Sequence, residues 1–197
     1  MKFYIPSEYQ QRCLETYKEY RKLLGSLLPH AKIEHIGSSA VPGALSKGDL
    51  DIFLGVKLEQ HSEAVVILEK AGFCIKVGTL RTTELCMLEA PEQDVAVQVV
   101  AIGSEYEFFV EFRNMLLKSK DLLNSYNELK RQSESLEDNE YRNIKSEFIE
   151  NALGNAKLGA AAENRRLNPC AAILVSRCKA LVSEALCEIY EIFRHYK

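Results

Sequence analysis

The chain has no apolar run approaching the ~18 residues needed to cross a bilayer, no CxxC pair and no excess of basic charge. Each absence closes a class of function. Without the apolar run, no membrane span is expected. Met1 to Pro6 have no apolar core of the secretory-signal type, so the expected location is the cytoplasm. Without CxxC, a zinc ribbon or a thioredoxin-type redox motif has no support. The six cysteines are Cys13, Cys74, Cys86, Cys170, Cys178 and Cys187. Their loose spacing reads as buried, reduced thiols rather than a disulfide framework. The formal net charge is −3, so nucleic acid is not indicated as a partner. The basic pairs Lys130-Arg131 and Arg165-Arg166 are too short to change that. No internal repeat is present.

What the chain does have is enough apolar sequence to fold without staples. It runs to 197 residues, 47% apolar and 27% charged, which suits one globular domain with an appendage. Ser7 reads as an N-cap, and Cys13, Tyr17, Tyr20, Leu24 and Leu27 follow at helical spacing, predicting a helix over 7–28 that Pro29 ends. Lys32 to Ile36 reads as a strand, and Gly37 to Gly48 as a loop holding one helical turn. A second strand over 49–56 alternates, with Leu50, Ile52, Leu54 and Val56 on one face and Asp49, Asp51 and Phe53 on the other.

A helix over 60–71 with Gly72 at its C-terminal cap follows. Strands are expected over 73–77, 84–88 and 95–102, then helices from 103 onward, over 121–135 and over 140–157. Phe108, Phe109 and Phe112 read as core. Residues 154–168 are small and polar and read as a linker. A last helix over 168–195 carries Leu174, Cys178, Leu181 and Ala185 on an apolar stripe that must pack on the domain or on another chain. Strands early and helices late give an α+β class.

The chemistry concentrates in His35-Ile36-Gly37-Ser38-Ser39, the loop after it, and Lys47-Gly48-Asp49-Leu50-Asp51. A strand ending in Gly-Ser lets backbone amides approach phosphate oxygens. Period 2 puts Asp49 and Asp51 on one strand face. Two close carboxylates repel, and a Mg²⁺ (or Mn²⁺) ion resolves that repulsion while holding the phosphates of a nucleoside triphosphate. Lys47 either neutralises a phosphate or balances Asp49. Ser39 either joins the phosphate site or caps the next turn. His35 is expected to make a structural hydrogen bond, and Glu34 to face solvent.

Gly-Ser, ten intervening residues and Asp-x-Asp resemble the signature of the polymerase-β-type nucleotidyltransferases. His35 through Gly43 resembles more narrowly the GrpB family of that superfamily. So do Phe112-Arg113-Asn114-Met115-Leu116, Tyr126-Asn127-Glu128-Leu129-Lys130 and the stretch from Tyr141 through Ile149. The resemblance spans about residues 30–153. It implies a nucleotidyltransferase-like mixed β-sheet packed against helices, with a helical C-terminal region. The implied domains are 1–157, and 158–197 as linker and helix. It further implies Mg²⁺ on Asp49 and Asp51, phosphates of an NTP, ATP first, on Gly37, Ser38, Ser39 and Lys47, and a nucleotide contact at Gln98. Superfamily members commonly place a third carboxylate on a later strand, and Asp94 is the candidate here, as base for the attacking hydroxyl. The chain departs from many family members in having Asp49 in place of an apolar residue, and Ala96 and Gln98 in place of a His-x-His pair.

Three readings stay open. One is a Mg-dependent nucleotidyltransferase acting on an unidentified small-molecule or protein acceptor. The second is a nucleotide-binding module of the same fold without turnover. The third is an interaction protein whose C-terminal helix docks on a partner or forms a homodimer.

Overall fold

The computed structural model describes residues 1–90 and 94–167, with side chains through residue 155. Met1–Leu136 make one compact unit, and the described residues from Glu137 to Leu167 belong to a second. The sheet and the candidate site lie in the first.

Helix α1 spans Pro6–Leu27, with its cap two residues before the Ser7 expected. Pro6 takes the first helical position, where its fixed φ fits and its missing N–H costs nothing. Ile5 is the cap, and its N–H is accepted by Glu8 Oε2 at 3.0 Å. Strand β1 follows at Lys32–Ile36, then a single 3₁₀ turn at Ser38–Ala40 and strand β2 at Leu50–Val56. Helix α2 (His61–Lys70) ends where expected: Gly72 has φ +97°, with Gly72 N–H bonded to Glu69 C=O and Phe73 N–H to Leu68 C=O, both at 3.0 Å.

Strands β3 (Cys74–Ile75), β4 (Leu85–Glu89) and β5 (Val95–Ala101) complete a five-stranded sheet in the order β1-β2-β5-β4-β3. Only the β2–β5 pair is parallel, so the sheet is mixed. Helices α3 (Phe108–Lys118) and α4 (Lys120–Gln132) follow. Ser119 separates them, its Oγ capping α4 by accepting Leu122 N–H at 3.2 Å.

The alternation in β2 works as its sequence implies. Leu50, Ile52, Leu54 and Val56 pack with Val95, Val97 and Val99 of β5, Leu24 of α1 and Leu68 of α2 in one core cluster. The opposite face carries Asp51 and Phe53, with Ala96 and Gln98 beside them on β5. Phe108 and Phe112 of α3 are buried, and Phe112 meets Tyr126 of α4 edge to face at 5.4 Å between centroids.

In the second unit, α5 runs as one helix over Asp138–Leu167. The expected linker from 154 is therefore helical as far as 167. Its alanines, leucines and basic residues outweigh Gly154 and Gly159 in helix propensity. The helix expected over 168–195, with Cys170, Cys178 and Cys187, lies outside the described residues. Of the other cysteines, Cys13 and Cys86 are buried free thiols as expected, whereas Cys74 is exposed. Among the described residues no helix is long and apolar enough to cross a membrane.

Candidate functional site

Register decides which of the expected site residues can meet. Asp51 lies opposite Ile36 on β1 and beside Ala96 on β5. The chain leaves β1 at Gly37 with φ +71° and ψ −171°, a conformation that only glycine adopts without strain. A Cβ placed on Gly37 would fall well inside contact distance of Asp51 Oδ2 and 3.1 Å from Asp51 Cβ. The glycine is thus required twice, once for its backbone angles and once because the Asp51 carboxylate fills the space a side chain would need. From the other side Gln98, fully buried, donates Nε2–H to Asp51 Oδ1 at 3.2 Å. Gly37, Asp51 and Gln98 therefore form one contiguous group.

Ser38 belongs to the same turn and points to α4. Lys130, 1% exposed, donates from Nζ to Ser38 Oγ at 2.6 Å and to the carbonyl of Leu45. Its ammonium also stands 4.0 Å from the centroid of the Tyr126 ring. Asn127, on the same helix, donates to Gly43 C=O at 2.9 Å and accepts Leu45 N–H at 2.8 Å. From α1, Tyr9 Oη donates to Ala44 C=O at 2.7 Å and Arg12 to Gly48 C=O at 3.1 Å. The loop that separates the Gly-Ser pair from the acidic strand is thus fixed by side chains of two helices. Burial, with the charges of Cys13 and Asp49 adding to it, pushes the Tyr9 phenol well above its ordinary value, so it donates as a neutral hydroxyl at any physiological pH.

Asp49 is exposed at the entrance to β2, where Ser46 Oγ donates to its Oδ1 at 3.4 Å and accepts Gly48 N–H at 3.1 Å. Asp94 is also exposed, and its carbonyl accepts Leu50 N–H at 2.9 Å. Continuing the parallel register by one residue sets Asp94 level with Asp49 at the start of both strands. Lys47 is exposed in the turn, and the cation that touches Ser38 is Lys130.

Ser39 is 3% exposed and hydrogen-bonded to His35 Nε2 at 3.0 Å. His35 in turn stacks on Tyr17, with centroids 4.9 Å apart. Burial, and secondarily the Arg113 charge, pushes the His35 pKa down to about 4, so the imidazole is neutral near pH 7. These two residues support the turn from behind, as expected for His35.

Glu34 does not simply face solvent. It is paired with Arg113 of α3 and with Lys32 at 2.7 Å. Its burial raises its pKa, but hydrogen bonds from Lys32 and Arg113 outweigh that and leave the net value lowered. Arg113 Nη1 also donates to His35 C=O at 2.7 Å, tying α3 to the end of β1 just before Gly37. Arg113, Asn127 and Lys130 are readable in the sequence only as parts of family-like stretches. No local spacing links any of them to a glycine 76 to 93 positions earlier.

The donor set suits one class of ion. Asp49 and Asp51 offer hard carboxylate oxygens, and Mg²⁺ characteristically takes one or two carboxylates and completes its shell with water and substrate phosphates. Among the described residues no three His, Cys, Asp or Glu side chains gather into a metal-holding group. Two carboxylates do not make a protein-only cage, and an ion held by them would need water or a phosphate to complete its shell.

The chain thus folds as an α+β domain with a mixed sheet, a Gly-Ser turn and an acidic strand beside it. The family model described as "GrpB protein" matches residues 7–155, and the chain belongs to that family. A UPF0157 protein of Vibrio cholerae is 52% identical over 157 residues, covering 79% of this chain and 84% of that protein. The crystal structure of the conserved protein GrpB from Enterococcus faecalis superposes with a TM-score of 0.58 at 21% identity, covering 77% of this chain and 99% of that one. A structure of Cid1, described as having RNA terminal uridylyl transferase activity, gives a TM-score of 0.37 at 17% identity, covering 58% of this chain and 42% of that one.

Proposed function

We propose that this protein is a Mg²⁺-dependent nucleotidyltransferase, moving a nucleoside monophosphate from an NTP, with ATP the first candidate, to a hydroxyl or similar group of an unidentified acceptor, with release of pyrophosphate. The observation that carries the proposal is the direct seating of the Gly37 turn against the Asp51 carboxylate. It brings a phosphate-type turn and a metal-type carboxylate into contact, with the buried Lys130 ammonium on Ser38 beside them. Asp49 and Asp51 would hold the ion, which when bound neutralises phosphate charge and polarises the phosphoryl group. Gly37 and Ser38 would take the β- and γ-phosphates, and Lys130 keeps the Ser38 hydroxyl oriented and the turn electropositive. Gln98 fixes the Asp51 rotamer. Asp94 stands level with Asp49 and is the candidate to accept the acceptor's proton. Phosphoryl chemistry of this kind is mostly positioning and charge neutralisation, which such a constellation can supply.

A nucleotide-binding module without turnover is the second reading. It is favoured by Ala96, which stands beside Asp51 where a further strand carboxylate would lie closest to the ion. The two readings part in one experiment. Mg-ATP is titrated calorimetrically into the native chain and into Asp49→Asn/Asp51→Asn, and the native chain is then incubated with α-phosphate-labelled ATP and candidate acceptors. Metal-dependent binding lost in the double variant supports the pocket, and label transfer supports the enzyme. Absence of binding by any NTP sinks both.

A further inference from the structure

The sheet register draws one row through the candidate site. Ile36 of β1, Asp51 of β2, Ala96 of β5 and Glu89 of β4 are successive partners across the sheet, and Gly37 follows Ile36 directly. Cys86, Leu88 and Ala90 belong to the core cluster, so alternation turns Glu89 to the other face, the one that carries Asp51. Strand spacing sets the Cα atoms of Asp51 and Glu89 about 10 Å apart, with only the Ala96 methyl between them in the row. Ala96 is partly exposed, so this floor is open. Lys76 Nζ meets Glu89 Oε1 at 2.5 Å, and the Glu89 side chain is 46% exposed, so the carboxylate is held at the surface and presented to solvent.

The row has a direction. In-line displacement at the α-phosphorus sets the attacking oxygen opposite the leaving pyrophosphate. With the β- and γ-phosphates at Gly37 and Ser38, on the β1 side of Asp51, the attacking hydroxyl enters from the β5 side, over Ala96. There it has Asp51 on one side, Asp94 two residues back along the same strand, and Glu89 beyond. An anionic group next to that hydroxyl would meet like charge, whereas a cationic group would meet the Glu89 carboxylate.

We propose that Glu89 selects the acceptor, its carboxylate receiving a cationic group carried next to the reacting hydroxyl, so that the acceptor is of the amino-alcohol class. The proposal rests on the Mg-NTP reading of the site. The acceptor oxygen bonds to the α-phosphorus as the bond to the bridging oxygen of the β-phosphate breaks. Pyrophosphate leaves, and the hydroxyl proton passes to Asp94. Glu89 takes no proton and sets specificity alone.

The test compares the native full-length chain with Glu89→Gln and Glu89→Lys, with folding of each checked by circular dichroism. Mg-ATP binding is measured by calorimetry. Transfer is followed from α-phosphate-labelled ATP to ethanolamine or to glycolate, small alcohols of matched length with a cationic or an anionic end. The native chain is expected to use ethanolamine with a kcat/KM about tenfold above that for glycolate, as suits a partly exposed charge contact whose sign is reversed. Glu89→Gln should bring the two alcohols within about threefold of each other, and Glu89→Lys should favour glycolate, with Mg-ATP affinity unchanged in both. Equal use of the two alcohols by the native chain, or a native-like preference in folded Glu89→Lys, overturns the proposal. So does loss of Mg-ATP affinity in folded Glu89→Gln, which would place Glu89 with the nucleotide, or Mg-ATP binding by the native chain without transfer to either alcohol. Absence of Mg-ATP binding by the native chain is a separate result: it sinks the underlying reading, and this proposal with it.

Discussion

Gly37→Ala isolates the contact on which the site depends, and its cost can be worked out. The native φ of +71° with ψ of −171° falls in a region that non-glycine residues enter only at about 1–3 kcal/mol. The new methyl would also overlap Asp51 Oδ2 and sit 3.1 and 3.2 Å from Asp51 Cβ and Cγ. Asp51 must leave its rotamer, at roughly 0.5–1.5 kcal/mol, and give up the bond from Gln98, whose loss costs about 1.5–3 kcal/mol for a charged acceptor. The sum is about 3–7.5 kcal/mol. Gly72→Ala is the control, because Gly72 has φ +97° and a Cβ there would meet nothing within 4 Å. Its cost is the left-handed backbone alone, about 1–2 kcal/mol. Urea unfolding should therefore place Gly37→Ala at least ~1 kcal/mol below Gly72→Ala. With an m-value of about 2 kcal/mol/M, that separates the midpoints by at least roughly 0.5 M. Coincident midpoints would refute the close packing of the turn on Asp51.

Two further perturbations test the turn's supports. Lys130→Met removes the donor to Ser38 and to the Leu45 carbonyl, and should cost about 1–3 kcal/mol for the acceptors left behind, read as a lowered urea midpoint. It should also weaken any Mg-ATP binding, and unchanged affinity would remove Lys130 from the site. For His35 the sign follows from a folded pKa near 4, below the value of about 6.5 in an unfolded chain. As pH falls, the unfolded chain takes the proton first. The stabilising contribution is therefore complete above pH ~6.5 and is lost down to pH ~4, about 3 kcal/mol in all. His35→Gln should flatten that part of the stability profile, and parallel profiles for the two proteins would count against a buried neutral imidazole.

The strands and the first-unit helices were legible because their signals are local. Valines mark β5, alternation marks β2, and Gly72 marks the end of α2. The start of α1 was misplaced because Pro6 competes with Ser7 for the same terminus and its fixed φ wins. The run after Gly154 looked like a linker because two glycines in a short window outweigh, to the eye, a series of alanines whose preference for helix accumulates along the segment. At the site, Asp51 is readable from the alternation of β2 and Gly37 from the Gly-Ser pair that ends β1, whereas Gln98 is readable only through the family resemblance. Lys130, Asn127 and Arg113 act from helices far along the chain, and one of Glu34's two partners, Arg113, lies among them. Charge pairing across elements has no periodic signature.

Those distant residues change how the site should be understood. A loop rich in glycine and proline has no ladder to satisfy its own backbone, and a mobile loop would have to be ordered when a ligand binds, at an entropic cost that lowers affinity. Here the carbonyls of Gly43, Ala44, Leu45 and Gly48 are each met by a side-chain donor, from Asn127, Tyr9, Lys130 and Arg12 respectively. Two helices on different sides of the loop thus supply the order before any ligand arrives. The turn at Gly37 inherits that order, since it is anchored ahead by Arg113 on His35 and behind by Lys130 on Ser38. Preorganisation of this kind is what a phosphate site needs if its binding energy is to go into aligning a reacting group instead of folding a loop. It also means that a substitution on α4, far from the carboxylates in sequence, should disturb the site as surely as one in the Gly-Ser turn itself.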